Sequence, residues 1–257
     1  MEGLTTDKPP EIAATLAAKR GPAEAVFDHF GDGADLIVGL GNGEPATILD
    51  AIEARGERLS GVAVHQMLPL RKRRYMHGDF AGLRHVSWFL TPANRQAFHE
   101  GTCDLVPNNS SDVPHLMNRS TRRSLALAAA SAPDRHGYAS LGPHAEYTAA
   151  MIGEVPYFLK VNHKMPRTFG ENQVHSSQVT GWSEADYPLF ELPSRPTRET
   201  DRRIAEYVAE RIPDGATLQA GIGAIPNEVL GLRGATGSSG CTRSCSPTGS
   251  STSWSRG

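Results

Sequence analysis

Apolar positions along this chain recur in short blocks that switch between a helical and an extended period. Residues 9–20 repeat at helical spacing, with Ile12, Leu16 and the alanines on one face. Residues 35–40 form an apolar run of strand length that breaks at Gly41-Asn-Gly-Glu-Pro-Ala46, and residues 47–55 return to helical spacing. Pro45 suits the first turn of that helix, where a missing N–H costs nothing. Residues 59–65 and 85–90 read as strands, 93–100 as a helix and 103–107 as a strand. Residues 124–131 are a continuous Ala/Leu run whose period fits either element.

The second half keeps the alternation. A turn-rich stretch at 132–142 precedes a strand at 157–162, which leads into Met165-Pro-Arg-Thr-Phe-Gly170. A connector at 188–197 carries Pro188, Pro193 and Pro196 and reads as a linker. Residues 200–212 predict an amphipathic helix with Ile204, Val208 and Ile212 on one stripe. Asp214-Gly215 marks a turn, and 216–220 a strand that enters Gly221-Ile-Gly-Ala-Ile-Pro226. Strands alternating with helices predict an α/β architecture with a largely parallel sheet. No repeat recurs at a fixed period.

Composition narrows the class. With 257 residues, 39% of them hydrophobic and 21% charged, the chain has room for one large or two ordinary domains of globular type. A net charge of −2 gives no long-range attraction to nucleic acid or to an anionic membrane. The one dense basic run, Arg71-Lys-Arg-Arg74, is short enough to be a solvated turn or a local phosphate contact. No apolar run reaches the roughly 20 residues that span a bilayer, and residues 1–10 lack a basic-then-apolar leader pattern. The expected location is the cytoplasm. Cys103, Cys241 and Cys245 supply neither a disulfide framework nor a zinc site.

Candidate chemistry is sparse. Two glycine turns stand between a strand and a helix, the geometry in which backbone N–H groups can face an anion. Gly39-Leu-Gly-Asn-Gly43 fits neither dinucleotide nor Walker spacing and reads as a tight turn before an anion site. Gly221-Ile-Gly-Ala-Ile225 is the better candidate, because Pro226 and Asn227 fit the first turn of the helix that follows. The ten histidines (29, 65, 77, 85, 99, 115, 136, 144, 163 and 175) show no metal-ligand spacing and are expected to be structural. Ser131 and Ser140 lie in no nucleophile elbow. Asp134-Arg-His-Gly137 could form a catalytic loop or an ordinary turn.

Four segments, in this order, resemble the acetyl-CoA hydrolase/transferase family. They are Ser131-Ala-Pro-Asp-Arg-His-Gly-Tyr-Ala-Ser-Leu-Gly142, Val161-Asn-His-Lys-Met-Pro-Arg-Thr-Phe-Gly-Glu-Asn172, Trp182-Ser-Glu-Ala-Asp-Tyr-Pro-Leu189 and Leu218-Gln-Ala-Gly-Ile-Gly-Ala-Ile-Pro-Asn227. Weaker similarity extends the match over residues ~10–232. The resemblance implies a CoA-transferase-like α/β domain over 1–190, a linker at 191–199 and the start of a second, incomplete α/β domain at 200–233. It further implies an active site between the two domains. There a glutamate attacks an acyl-CoA thioester, giving an anhydride and then a glutamyl-CoA thioester. Gly221, Ile222, Gly223, Ala224 and Ile225 would contact CoA. The implied substrates are an acyl-CoA, such as acetyl-CoA, and a short-chain acid, such as 4-hydroxybutyrate, with no further cofactor or metal. Neither nucleic acid nor membrane is an expected partner, and a homo-oligomer is compatible with the family. Hydrolysis of the thioester is the in-family alternative, and a non-catalytic CoA-binding module the rival from outside it.

Two departures stand out. Where the family has an Asp-Val-Ala-Leu-type strand, this chain has Arg122-Arg-Ser-Leu-Ala-Leu127, which leaves the docking of that strand in question. Where the family carries Gly-(Ile/Val)-His-Thr-Glu followed by Ser-Asp-Gly, this chain has Gly240-Cys-Thr-Arg-Ser-Cys-Ser-Pro-Thr-Gly249. From Gly234 onward 17 of 24 residues are Ser, Thr or Gly, and no acidic residue follows Glu228, so 234–257 is expected to be a disordered tail. Back-translated with GC-rich codons and read one nucleotide earlier, residues 235–254 give Gly-His-Arg-Glu-Leu-Gly-Val-His-Ala-Glu-Leu-Leu-Ser-Asp-Gly-Val-Val-Asp-Leu-Val, close to the family pattern. The tail therefore reads as out-of-frame from about 231–233, with the expected glutamate codon lost across Arg243 and Ser244. On this reading the chain is C-terminally truncated and retains no catalytic residue.

Overall fold

The computed structural model describes residues 9–191, 196–221, 223–234 and 241–243. The chain divides into two compact units, Met1–Phe190 and Glu191–Gly257.

The first unit is built on a seven-stranded sheet. Its elements in chain order are α1 (Pro10–Ala18), β1 (Asp35–Val38), α2 (Ala46–Ala54), β2 (Val62–Met67), β3 (Leu83–Phe89), α3 (Arg95–His99), β4 (Cys103–Leu105), α4 (Val113–Ser120), β5 (Leu125–Ala130), β6 (Tyr138–Ser140), β7 (Tyr157–Asn162), β8 (Gln173–His175) and β9 (Val179–Ala185). The sheet order is β4-β3-β2-β1-β5-β7-β9, with every neighbouring pair parallel. β6 and β8 form a separate antiparallel pair.

A parallel sheet must be covered on both faces, so its strands read as continuous apolar runs rather than alternating ones. That explains residues 124–131. β5 is wholly buried, with Leu125 and Leu127 on one face and Ala126, Ala128 and Ala130 on the other. Ile48, Leu49 and Ile52 of α2 cover the first face together with Leu36, Val38 and Phe158. Leu16 of α1, Val113 and Met117 of α4, and Ala139 and Val174 of the β6–β8 pair cover the second. The unexpected Arg122–Leu127 stretch docks through specific bonds. The Ser124 N–H donates to Asp35 O, the Asp35 N–H to Ser124 Oγ, and the Arg122 N–H to Asp35 Oδ2.

Histidines fill polar niches in this core. His65 accepts from Trp88 Nε1 at its Nδ1, which leaves Nε2–H to donate to Asp35 Oδ1 at 3.2 Å. His85 is fully buried, and burial pushes its pKa down to about 3. Burial also lowers His65, against the upward pull of Asp35. Both imidazoles are thus neutral when folded and titrate near 6.5 when unfolded. The unfolded state then binds more protons below pH ~6.5, so this stability is present above that pH and lost as pH falls toward ~3. His85 alone is expected to cost about 2 kcal/mol at pH 5. Urea melts at pH 7.5 and pH 5 check this, and a His85→Asn protein is expected to show a flatter profile.

In the second unit, α5 (Glu199–Ala209) leads to β10 (Leu218–Ala220), α6 (Ala224–Gly234) and β11 (Cys241–Arg243). β10 and β11 pair in parallel, completing a β-α-β unit, and α5 packs on α6. Two expectations change. The α5 residue that becomes buried is Ala205, while Ile204, Tyr207 and Val208 are exposed. Of the predicted stripe, Ile204 and Val208 are thus exposed and Ile212 is half-buried. The expected disorder from 234 onward does not hold for Cys241–Arg243, whose backbone pairs with the open edge of β10. The remaining tail positions, 235–240 and 244–257, lie outside the described residues.

Candidate functional site

Strand order in the large sheet runs outward in both directions from β1, so the topological switch point lies between β1 and β5. In open parallel sheets the carboxyl ends of the strands at that point form the natural ligand crevice. The loop leaving β1 there is Gly39-Leu-Gly-Asn-Gly43. Its N–H groups, however, are mostly spent inside the protein. Gly39 donates to Leu127 O, Gly41 to Leu68 O, Gly43 to Leu40 O and Glu44 to Gly41 O. The Leu40 N–H points to Glu146 Oε1 at 3.4 Å. Gly43 is required because a Cβ there would lie 2.6 Å from the His144 ring Cε1, and that ring is fixed through Nε2 to Ala129 O. Of the two readings left open for this loop, the tight turn wins over the anion cradle.

Behind the loop lies a buried carboxylate that sequence reasoning missed. The Glu44 side chain is fully buried, and it accepts from Gln66 Nε2, the Leu70 N–H and Arg71 Nη1, each at 3.0 Å, and from Arg73 Nη2 at 3.4 Å. Arg73, itself 3% exposed, also reaches Asp50 Oδ1 at 2.7 Å and Ala46 O at 3.2 Å. Arg74 pairs with Asp79 and lies over the Phe80 ring. Of the dense basic run, Arg71, Arg73 and Arg74 thus each pair with a carboxylate, and only Arg73 is buried. Leu68 adopts a left-handed conformation (φ 51°) at the start of this loop, a strained state kept by its surroundings.

The family-like segments form a scaffold around the carboxyl end of β5. Asp134 caps its own turn, accepting from the His136 and Tyr138 N–H groups, and takes Arg167 Nη2 at 2.7 Å. Arg167 also donates to Tyr138 O and Gln173 Oε1. Ser140 Oγ accepts from the Gly142 and Thr168 N–H groups. The Asp-Arg-His-Gly stretch is therefore a structural turn stitched to Met165–Gly170. Burial pushes the Cys103 thiol up to about 11, which removes it as a nucleophile.

A strap, residues 186–190, crosses this rim. Asn162 donates to Tyr187 O at 2.9 Å and accepts its N–H at 3.3 Å. Asn42 does the same to Phe190, at 3.0 and 2.7 Å. Each asparagine imitates a strand partner.

In the second unit the glycine turn joins β10 to α6. Gly221 has open space where a Cβ would stand, and Gly223 has φ 141°, a conformation suited to glycine. Ala224 and Ile225 form the first turn of α6, whose leading N–H groups have no intrahelical acceptor. Ile222 lies outside the described residues. Arg243 pairs in register with Ala220, so the expected glutamate position falls at the carboxyl end of β11 beside this turn; Ser244 lies outside the described residues.

Comparison with known proteins places these features. Residues 16–189 match the family model for the acetyl-CoA hydrolase/transferase N-terminal domain. The chain is 34% identical over 191 residues to the 4-hydroxybutyrate coenzyme A transferase of Clostridium kluyveri, covering 73% of this chain and 44% of that protein. It is 32% identical over 216 residues to a succinyl-CoA:acetate/propanoyl-CoA:succinate CoA transferase of Fasciola hepatica, covering 80% and 44%. The crystal structure of RipA from Yersinia pestis superposes with a TM-score of 0.80 at 26% identity, over 91% of this chain and 57% of that one. A 4-hydroxybutyrate CoA-transferase structure from Porphyromonas gingivalis gives 0.64 at 28% identity, over 83% and 51%. The chain spans less than half the length of these two curated relatives. On its sequence and its parallel α/β architecture, it belongs to the acetyl-CoA hydrolase/transferase family.

Proposed function

We propose that this chain binds coenzyme A thioesters through the Gly221–Ile225 turn, in the framework of acyl-CoA:carboxylate CoA transfer, and lacks the nucleophile that would complete the reaction. The observation that carries the reading is the β10–turn–α6–β11 unit. An open glycine and the start of α6 stand beside the strand end where the family resemblance expects glutamate. Backbone N–H groups at such a turn can stabilise the oxyanion of a thioester under attack, and a carboxylate nucleophile would divide the transfer into two easier acyl exchanges. Arginine at 243 and serine at 244 offer no carboxylate.

The substrates are then an acyl-CoA and a short-chain acid. The relatives act on different acids by name, so the acid stays at that level. Hydrolysis is the second reading within the family, and thiol release without an acceptor acid would favour it. Calorimetric titration of CoA tests the binding step. Gly223→Val forces a β-branched residue into φ 141° and is expected to weaken CoA binding at least about tenfold while unit 1 melts unchanged. Absence of CoA binding by the unmodified protein would sink the reading.

A further inference from the structure

One helix of unit 2 carries its large apolar side chains on the outside. Ile204, Tyr207 and Val208 of α5 are 46%, 55% and 41% exposed. Their i, i+3, i+4 spacing puts them on a single stripe. Ala205, on another side of the helix, is fully buried, and α5 packs on α6. A helix that buries its alanine and leaves isoleucine, tyrosine and valine in water has its hydrophobic payload facing the wrong way for a finished surface.

The charges bordering this stripe are arranged as their own complement. Arg203 and Glu210 are seven positions apart, close to two helical turns, so they share the side next to Tyr207. Asp201 stands seven positions before Val208 and borders the other side. Arg211 follows at the end of the stripe, with Nη1 donating to Tyr207 O and the rest of its fork outward. A second copy of α5 laid antiparallel, with a two-fold axis near Glu206, brings Ile204 against the partner's Val208. The same turn sets Asp201 opposite the partner's Arg211 and Arg203 opposite the partner's Glu210. Each match occurs twice, as a two-fold contact requires. Parallel copies would instead set Arg203 on arginine and Glu210 on glutamate. The chain's own tail fits less well: 17 of residues 234–257 are Ser, Thr or Gly, and it has no acid for Arg203 or Arg211.

We propose that the Ile204–Tyr207–Val208 face of α5 is a self-association surface, on which a second copy of this chain seats its own α5 antiparallel. The contact is small. Eleven helical residues span about 16 Å, which falls short of the roughly 800 Å² per partner of a standard interface. A reversible dimer with a dissociation constant of tens of micromolar is therefore expected. The surface does not depend on CoA binding at the glycine turn.

Sedimentation of the full 257-residue protein from about 1 to about 200 µM tests this, with a closed monomer–dimer equilibrium as the expected result. Ile204→Glu is expected to leave only monomer over that range. Arg203→Glu sets like charges together at both ends of the contact and is expected to weaken association about tenfold. Adding Glu210→Arg to Arg203→Glu restores opposite charges and is expected to return the dissociation constant to within about threefold of the parent. A merely structural role for either residue predicts no such recovery. Monomer at every concentration would overturn the proposal and leave the stripe to the tail or to a different protein. A dimer indifferent to Ile204→Glu would place the contact elsewhere, and open-ended aggregation would exclude a two-fold one. Failure of the double reversal to recover association would overturn the antiparallel seating.

Discussion

The 257-residue protein, mixed with acetyl-CoA and a short-chain acid, is expected to give no detectable CoA exchange and no covalent CoA adduct on its own chain. The reason is chemical rather than conformational. Covalent acyl transfer of the family type needs a carboxylate that can become an anhydride, and Arg243 and Ser244 stand where the resemblance expects glutamate. Loss of a covalent nucleophile typically costs roughly 10⁴-fold or more in turnover, whatever binding survives. Mass spectrometry of the protein after incubation reads the adduct directly, and an exchange assay reads turnover. Robust ping-pong exchange would overturn both the missing nucleophile and the frame reading behind it. Resequencing the gene tests that frame reading separately: a nucleotide run with no Gly-Val-His-Ala-Glu match one position earlier would remove it.

Much of the fold was legible because parallel-sheet strands advertise themselves as short apolar runs ending in glycine or proline turns. Residues 35–40 and 157–162 contain β1 and β7 for that reason. β9 was harder to see, since Thr180, Gly181, Ser183 and Glu184 break its apolar pattern, and its cover by Lys19, Arg20 and Leu16 is long-range. α4 was missed because Val113-Pro-His-Leu-Met-Asn-Arg-Ser120 buries only Val113 and Met117. The rim was the least legible part. Glu44, Gln66 and Arg73 are polar residues in a stretch of 30 positions, and nothing in their spacing says that the chain returns to bury all three together. For Asp134-Arg-His-Gly137 the ordinary turn of the two readings holds, since its catalytic-looking residue types serve that turn and its Arg167 staple.

Arg73→Met is expected to destabilise unit 1 by about 3–5 kcal/mol, far more than a surface ion pair of the same geometry would suggest. The substitution keeps an unbranched apolar stem and removes the buried guanidinium. What it leaves behind is the Glu44 carboxylate, fully buried, with Arg71 as its remaining cation and Gln66 and the Leu70 N–H as its other donors. Asp50 and Glu53 would lose the same guanidinium. Because the cost arises from an uncompensated charge rather than from the missing contact, neutralising that charge should recover part of it. Glu44→Gln combined with Arg73→Met is expected to be less destabilised than the sum of the two single changes, by about 1–3 kcal/mol, in urea melts at pH 7.5. Strict additivity, or an Arg73→Met protein within about 1 kcal/mol of the parent, would show that Arg71, Gln66 and the Leu70 N–H suffice to hold Glu44. The strap and the β1 loop would then owe their positions to the asparagine clamps rather than to the charge beneath them.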